Sequence, residues 1–211
     1  MSTCLKKNAI PIVIEIAFIL SCLFVPQEYC VYTNLLFYLL LLGYFCVTCA
    51  FSFREWGQCL RSGKIFWKQV SVTGLFFLVA FGFTAALEGL FPDFDTGTMM
   101  LKRDTPLRLI AFAISTMLLP AITEETFYRK SMISFRSKLV LILTAVFGVL
   151  LYAAEHSLKP WGILLTVVWA LPLTLSYIRT KNVYVPMTAH FIGNVLGNGV
   201  TVITTAIAMC R

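Results

Sequence analysis

The sequence predicts an all-α membrane protein, a polytopic bundle of about seven transmembrane helices around a polar cavity within the membrane. Composition is the first reason: 59% of the 211 residues are hydrophobic and 13% are charged, whereas soluble domains carry about 25% charged residues. The second reason is the length of the apolar runs. They approach or exceed the roughly 20 residues that a helix needs to cross a bilayer, whereas barrel strands are only about ten residues long. We expect a single integral membrane domain over residues 1–211.

The apolar runs and the polar residues between them define the predicted helices. Lys6 and Lys7 precede the first run, which has no small-residue cleavage site and is therefore interpreted as a retained helix rather than a signal peptide. A basic stretch over residues 54–68 carries aromatic residues suited to a membrane interface and is predicted to be a loop. Pro172 predicts a kink in the sixth helix. The seven predicted helices span residues 9–25, 31–53, 70–91, 107–135, 139–156, 161–178 and 183–209.

The positively charged residues indicate the orientation of the chain. Most of the 17 lysines and arginines fall on the side of the N-terminus when seven helices are threaded through the membrane. Cytoplasmic loops are typically richer in these residues, so we expect a multi-pass protein with a cytoplasmic N-terminus. The basic residues form no dense block, and we expect membrane lipid rather than nucleic acid around the protein.

Two adjacent acidic residues, Glu124 and Glu125, lie within the fourth apolar run. A charged side chain at the bilayer centre costs between about 3 and 15 kcal/mol depending on the method, so such residues normally face a protein interior or a wet cavity and indicate a functional site. Glu125 and Arg129 are spaced i, i+4 and can form an ion pair on one helix face. Glu124 lies about 100° further around the helix and is left for chemistry.

Both histidines of the chain also lie in apolar segments. Tyr152 and His156 are spaced i, i+4, and so are His190 and Asn194. Hydrocarbon cannot satisfy such groups, so they must contact one another or water. A histidine or asparagine can also serve as a structural link between membrane helices, worth under about 2 kcal/mol. A structural ion pair, however, would use only one of the two glutamates, and the three polar pairs together favour a catalytic or substrate-binding site.

The order of these motifs resembles that of the CPBP intramembrane proteases, the family of the CAAX prenyl endopeptidases and of bacteriocin-processing and bacteriocin-immunity membrane proteins. The motifs are Glu124-Glu-x-x-x-Arg129, an aromatic-x-x-x-His ending at His156, and His190-x-x-x-Asn194. The resemblance covers a motif-bearing core of about residues 107–199. Tyr152 departs from the family pattern, which usually has Phe at this place. The resemblance implies an intramembrane endopeptidase that hydrolyses a peptide bond of a membrane-associated peptide or protein, prenylated or not.

The same resemblance implies a role for each residue. Glu124 would act as general base on a water molecule that His156 helps to hold. His190 and Asn194 would donate hydrogen bonds to the oxyanion that forms on the substrate. The supporting residues would be Glu125, Arg129 and Tyr152.

Three alternatives remain open from the sequence. Glu124, His156 and His190 could bind zinc with an open fourth position, as catalytic zinc sites do. Because no His-Glu-x-x-His helix is present, we favour a glutamate mechanism and expect no cofactor. The second alternative is a non-catalytic immunity or partner-binding membrane protein. The third is a transporter, which predicts an inverted repeat that the sequence does not show.

The depths of Glu124 and His156 in the membrane pose a geometric question. Counting from the turn at residues 136–138 at 1.5 Å per residue places Glu124 about 18 Å and His156 about 27 Å deep. Helix tilt or a late start of the fifth helix would bring them together.

Overall fold

A computed structural model describes residues 2–210, with side chains from residue 8 onward. All regular structure in this part of the chain is helical, which confirms the predicted all-α fold. The side chains of Lys6 and Lys7, which support the predicted orientation, lie outside the described residues. The helices are α1 (Ser2–Phe24), α2 (Cys30–Val47), α3 (Phe53–Leu60), α4 (Lys64–Leu90), α5 (Pro106–Ser131), α6 (Lys138–His156), α7 (Pro160–Thr180) and α8 (Tyr184–Met209).

Six helices in the described part of the chain, α2 and α4 to α8, are long and apolar enough to cross a membrane. The apolar part of α1, Asn8–Phe24, is shorter. Together they agree with the predicted count of about seven, and the chain is a multi-pass integral membrane protein. The cytoplasmic location of the N-terminus stays a prediction.

The predicted loop over residues 54–68 was wrong, because it contains the short helix α3 and the start of α4. Ser52 caps α3, and its hydroxyl accepts a hydrogen bond from the backbone N–H of Glu55 at 3.3 Å. An eight-residue amphipathic helix is too short and too polar to appear as an apolar run. Hydropathy therefore cannot separate it from a loop.

Helix α5 contains two π-helical segments, Ile114–Leu118 and Glu125–Ser131. Pro120 lies between them and has no N–H to donate to the carbonyl of Thr116, four residues earlier. That carbonyl accepts a hydrogen bond from the side-chain amide of Asn198 at 3.2 Å instead. The second π segment begins at Glu125, so the acidic pair lies where the helix changes its winding.

Contacts between Cα atoms divide the chain into two units. The first comprises Met1–Phe51, Met99–Thr123 and Phe191–Arg211, and the second comprises Ser52–Thr98 and Glu124–His190. The division falls within α5 and within α8. The expectation of a single domain stays a prediction.

Each unit has its own packing. In the first unit, Phe18 stacks on Phe37 with ring centroids 4.3 Å apart, and Ala111 and Phe112 of α5 are buried with Val31 of α2. In the second unit, α7 packs against both α4 and α6, and α6 also contacts the second π segment of α5. Both glutamates and both histidines belong to the second unit.

Candidate active site

The acidic pair is almost completely buried where the second π segment of α5 begins. Glu124 is 1% exposed, Glu125 is 0% exposed, and Arg129 in the π segment is 1% exposed. Single π-helical turns inside α-helices occur frequently at functional sites. Three ionisable side chains are therefore shielded from solvent within six residues of α5, where each must be balanced by the others or by a neighbouring helix.

The predicted ion pair is confirmed. The distance from Arg129 Nη1 to Glu125 Oε1 is 3.2 Å. Arg129 Nη2 also donates to the backbone carbonyl of Ala170 at 3.4 Å, and its guanidinium lies 4.6 Å from the centroid of the Tyr152 ring. A cation over an aromatic face at this distance is attracted by the ring. Arg129 thus joins α5 to α7 and α6. The supporting role of Tyr152 in the site stays a prediction.

His190 of α8 lies against both glutamates. Its Nδ1 is 3.0 Å from Glu125 Oε1, and its Nε2 is 3.9 Å from Glu124 Oε2. A carboxylate paired with Arg129 is ionised and can only accept hydrogen bonds, so Nδ1 of His190 carries the proton and donates it. The sequence motifs predicted that Glu125 supports the site and that His190 donates a hydrogen bond to the oxyanion of the substrate. The structure joins them directly, because adjacent carboxylates can reach the two nitrogens of one ring.

The hydrogen-bonding capacity of Nε2 in His190 depends on the protonation of the ring. Glu125 and Arg129 are opposite charges in contact, and Glu124 lies against His190. A ring protonated on both nitrogens offers Nε2–H as a donor, whereas a ring protonated on Nδ1 alone offers Nε2 as an acceptor.

His156 is the last residue of α6 and is held by its own helix. Its Nδ1 is 3.0 Å from the backbone carbonyl oxygen of Tyr152. A carbonyl only accepts hydrogen bonds, so Nδ1 is the donor, and in the Nδ1–H tautomer Nε2 has a lone pair. The ring centroids of His156 and Tyr152 are 4.4 Å apart. Tyr152 also contacts Arg129, so α6 meets the acidic segment one turn before His156. Tyr152 therefore links His156 to the cluster, although counting along the helices placed Glu124 and His156 at different depths in the membrane.

Asn194 follows His190 by one turn of α8 and is half-buried. It belongs to the first of the two units. Its role as a donor to the oxyanion stays a prediction from the motif.

A second contact between α5 and α6 was not predicted as part of the site. The Tyr128 hydroxyl donates to Glu155 Oε2 at 2.6 Å, and the Tyr128 and Tyr152 rings meet edge to face at 5.4 Å. Glu155 precedes His156, and this adjacency in an apolar helix was the signal available in the sequence. Its partner could not be read from spacing, because Tyr128 is 27 residues away.

The aromatic residues of α4 and α7 around the histidines were also missed. Phe77 lies 5.5 Å from His190, and Trp169 lies 6.5 Å from His156, measured between ring centroids. Helix α4 carries no motif, and aromatic residues in an apolar helix look like ordinary lipid-facing or core residues. No sequence signal separates these rings from the others.

The expectation of no cofactor and the alternative zinc site both stay predictions. No group of three or more His, Cys, Asp or Glu residues among the described residues is arranged to hold a metal ion. Nδ1 of His190 contacts Glu125, and its Nε2 faces Glu124.

The family comparison agrees with this geometry. Residues 106–196 match the family model described as "Rce1-like: Type II CAAX prenyl endopeptidase Rce1-like". This stretch is less than half of the chain and is similar to the CAAX protease family; we refer to residues 106–196 as the CAAX protease segment. The CAAX protease segment contains every predicted site residue and begins at the first residue of α5, whereas α4 lies outside it. Comparisons with curated proteins and with solved structures gave no match. The match supports a CAAX-type intramembrane endopeptidase in the general sense, a peptide hydrolase of the membrane.

Proposed function

We propose that the protein hydrolyses a peptide bond of a membrane-associated peptide or protein, prenylated or unmodified, by a metal-free mechanism in which Glu124 activates water. The approach of His190 Nε2 to Glu124 Oε2, 3.9 Å apart in a fully buried cluster, supports this most strongly. In this proposal the His190 ring is protonated on both nitrogens, and its Nε2–H is a donor for a developing oxyanion beside Glu124, the base for water.

Two acceptors orient the water in this mechanism. Glu124 accepts one proton of the water, and Nε2 of His156, which has a lone pair in the tautomer fixed by Tyr152, accepts a hydrogen bond from the other. The oxygen lone pair is then directed at the substrate carbonyl. A general base positioned in this way typically contributes about 10²–10⁴-fold to the rate.

Attack forms a bond from the water oxygen to the carbonyl carbon, moves a proton to Glu124 and places the electron pair of the C=O bond on oxygen. Nε2–H of His190 donates to this oxyanion, with Asn194 as the second donor. Glu125 holds the opposite nitrogen of the His190 ring. When the intermediate collapses, the C–N bond breaks and Glu124 returns its proton to the leaving amine. One donor of this kind is typically worth about 10²–10³-fold in kcat.

The test is cleavage of a panel of quenched peptides, prenylated and plain, by detergent-purified protein. We expect Glu124→Gln to abolish cleavage, because the amide cannot accept the proton. Glu88→Gln is the matched control, since Glu88 is an exposed glutamate of α4. It should cleave like the wild type.

The same panel tests the metal-free assignment. Cleavage should survive a strong chelator; loss that zinc restores would overturn this part of the proposal. Absence of cleavage by the wild type would favour the non-catalytic immunity or partner-binding alternative, which predicts that Glu124→Gln still performs the cellular role of the protein.

A further inference from the structure

Helices α4 and α7 together supply a continuous row of aromatic rings between the two histidines. Phe77 meets His190 edge to face at 5.5 Å and meets Phe81 in the same way at 4.8 Å. Phe81 stacks on Trp169 of α7 at 4.7 Å with the planes 21° apart, and Trp169 meets His156 at 6.5 Å with the planes 80° apart. All four separations fall in the range of favourable aromatic pairs. A helix outside the CAAX protease segment therefore contacts one histidine directly and reaches the other through Trp169.

Trp169 is fixed in this row by a hydrogen-bond relay. Its indole N–H donates to Thr84 Oγ1 at 2.6 Å, and the Thr84 hydroxyl donates in turn to the backbone carbonyl of Phe81 at 3.0 Å. Thr84 is 1% exposed. A buried relay in which each donor has its acceptor allows one orientation of the indole, since rotation would leave both the N–H and the hydroxyl oxygen unsatisfied.

His156, by contrast, has little support from its own backbone. It ends α6, where helices fray, and a single hydrogen bond to the Tyr152 carbonyl sets its tautomer. Tyr152 covers one side of the ring, and Trp169 lies at a steep angle to it on another element. If Trp169 turned, the imidazole could rotate away from the water it has to hold.

We propose that Trp169 and Thr84 are positioning residues, which hold the His156 ring so that its Nε2 lone pair points at the attacking water. This inference rests on the proposed function, because it gives the row of aromatic rings a role in orienting the attacking water. It gives α4 a part in the chemistry although α4 carries no catalytic motif.

The test compares kcat and KM for Trp169→Phe, Thr84→Val and the double variant. Trp161→Phe is the matched control, because Trp161 lies on the same helix and its indole N–H has no hydrogen-bond partner within residues 8–210. We expect kcat to fall about tenfold in each single variant. KM should stay within about twofold of the wild-type value, because the lost interaction stabilises the transition state alone. The double variant should be no slower than the slower single variant, since both changes break one hydrogen bond. Trp161→Phe should match the wild type.

An unchanged kcat in Trp169→Phe, or equal losses in Trp169→Phe and Trp161→Phe, would overturn the proposal. A second measurement does not depend on cleavage: ¹⁵N NMR of ring-labelled histidine, in which the two histidines of the chain are assigned with His190→Gln. His156 should show the Nδ1–H tautomer in the wild type and a mixture of tautomers in Trp169→Phe. If the wild type cleaves nothing but the ring signals change in this way, the proposed function fails and the positioning stands. If the wild type cleaves and Trp169→Phe changes neither kcat nor the tautomer of His156, the positioning proposal fails and the proposed function stands.

Discussion

Replacing Arg129 by methionine should destabilise this protein strongly, because Arg129 balances a carboxylate in a site without solvent. The arginine side chain is 1% exposed and contacts Glu125 at 3.2 Å, the Ala170 carbonyl at 3.4 Å and the Tyr152 ring. Methionine fills part of the same volume without the charge. Glu125 would then stay buried beside Glu124 without the cation that neutralises it.

The expected size of the effect follows from these contacts. Removing one member of a buried ion pair costs about 3–5 kcal/mol, and loss of a desolvated cation–π contact adds about 2 kcal/mol. In a chain of this size each kcal/mol lowers Tm by about 2–4 °C. We therefore expect Arg129→Met to lower Tm by about 10–28 °C.

Thermal unfolding in detergent, followed by circular dichroism, measures this effect. Arg108→Met is the control, because Arg108 pairs with Asp104 at the same i, i+4 spacing at 2.7 Å, but with 59% of the aspartate side chain exposed. Such surface pairs contribute about 0–1 kcal/mol. Adding Glu125→Gln to Arg129→Met removes both buried charges and should recover at least half of the lost stability. Equal Tm values for Arg129→Met and Arg108→Met, or no recovery in the double variant, would refute this reasoning.

Two further predictions concern α6 and the loop before α5. A Cβ at Gly148 would lie 2.8 Å from the backbone oxygen of Tyr128, so Gly148→Ala should lower the unfolding free energy by about 1–3 kcal/mol. Gly74 faces open space, so Gly74→Ala should be neutral or stabilising in the same thermal assay. The backbone N–H of Gly97 and, secondly, Lys159 lower the pKa of Asp95. The lowered pKa stabilises the folded loop above the unfolded pKa of about 4, and this contribution is lost as the pH falls through the folded pKa. Asp95→Asn should accordingly speed hydrogen exchange of the loop at neutral pH but not at pH values below the folded pKa of Asp95; equal exchange at neutral pH would contradict this assignment.

The sequence by itself determined the features that depend on local periodicity. The long apolar runs identified the membrane helices because crossing hydrocarbon requires about 20 apolar residues in one helix. The pairing of Glu125 with Arg129 followed from i, i+4 spacing, and their motif indicated the protease family before any fold was known. The short helix α3 was missed, since an eight-residue amphipathic segment leaves no apolar run.

The tertiary structure alone decided which of these groups meet. His190 touches both glutamates, Tyr128 binds Glu155, Phe77 of α4 meets His190, and Trp169 of α7 meets His156. Such contacts depend on the rotation and register of one helix against another, which are set by packing. The i, i+4 spacings indicated which polar side chains share a helix face, but not which neighbouring helix that face meets. The chemistry of the site could therefore be predicted as a set of residues, and its geometry could not.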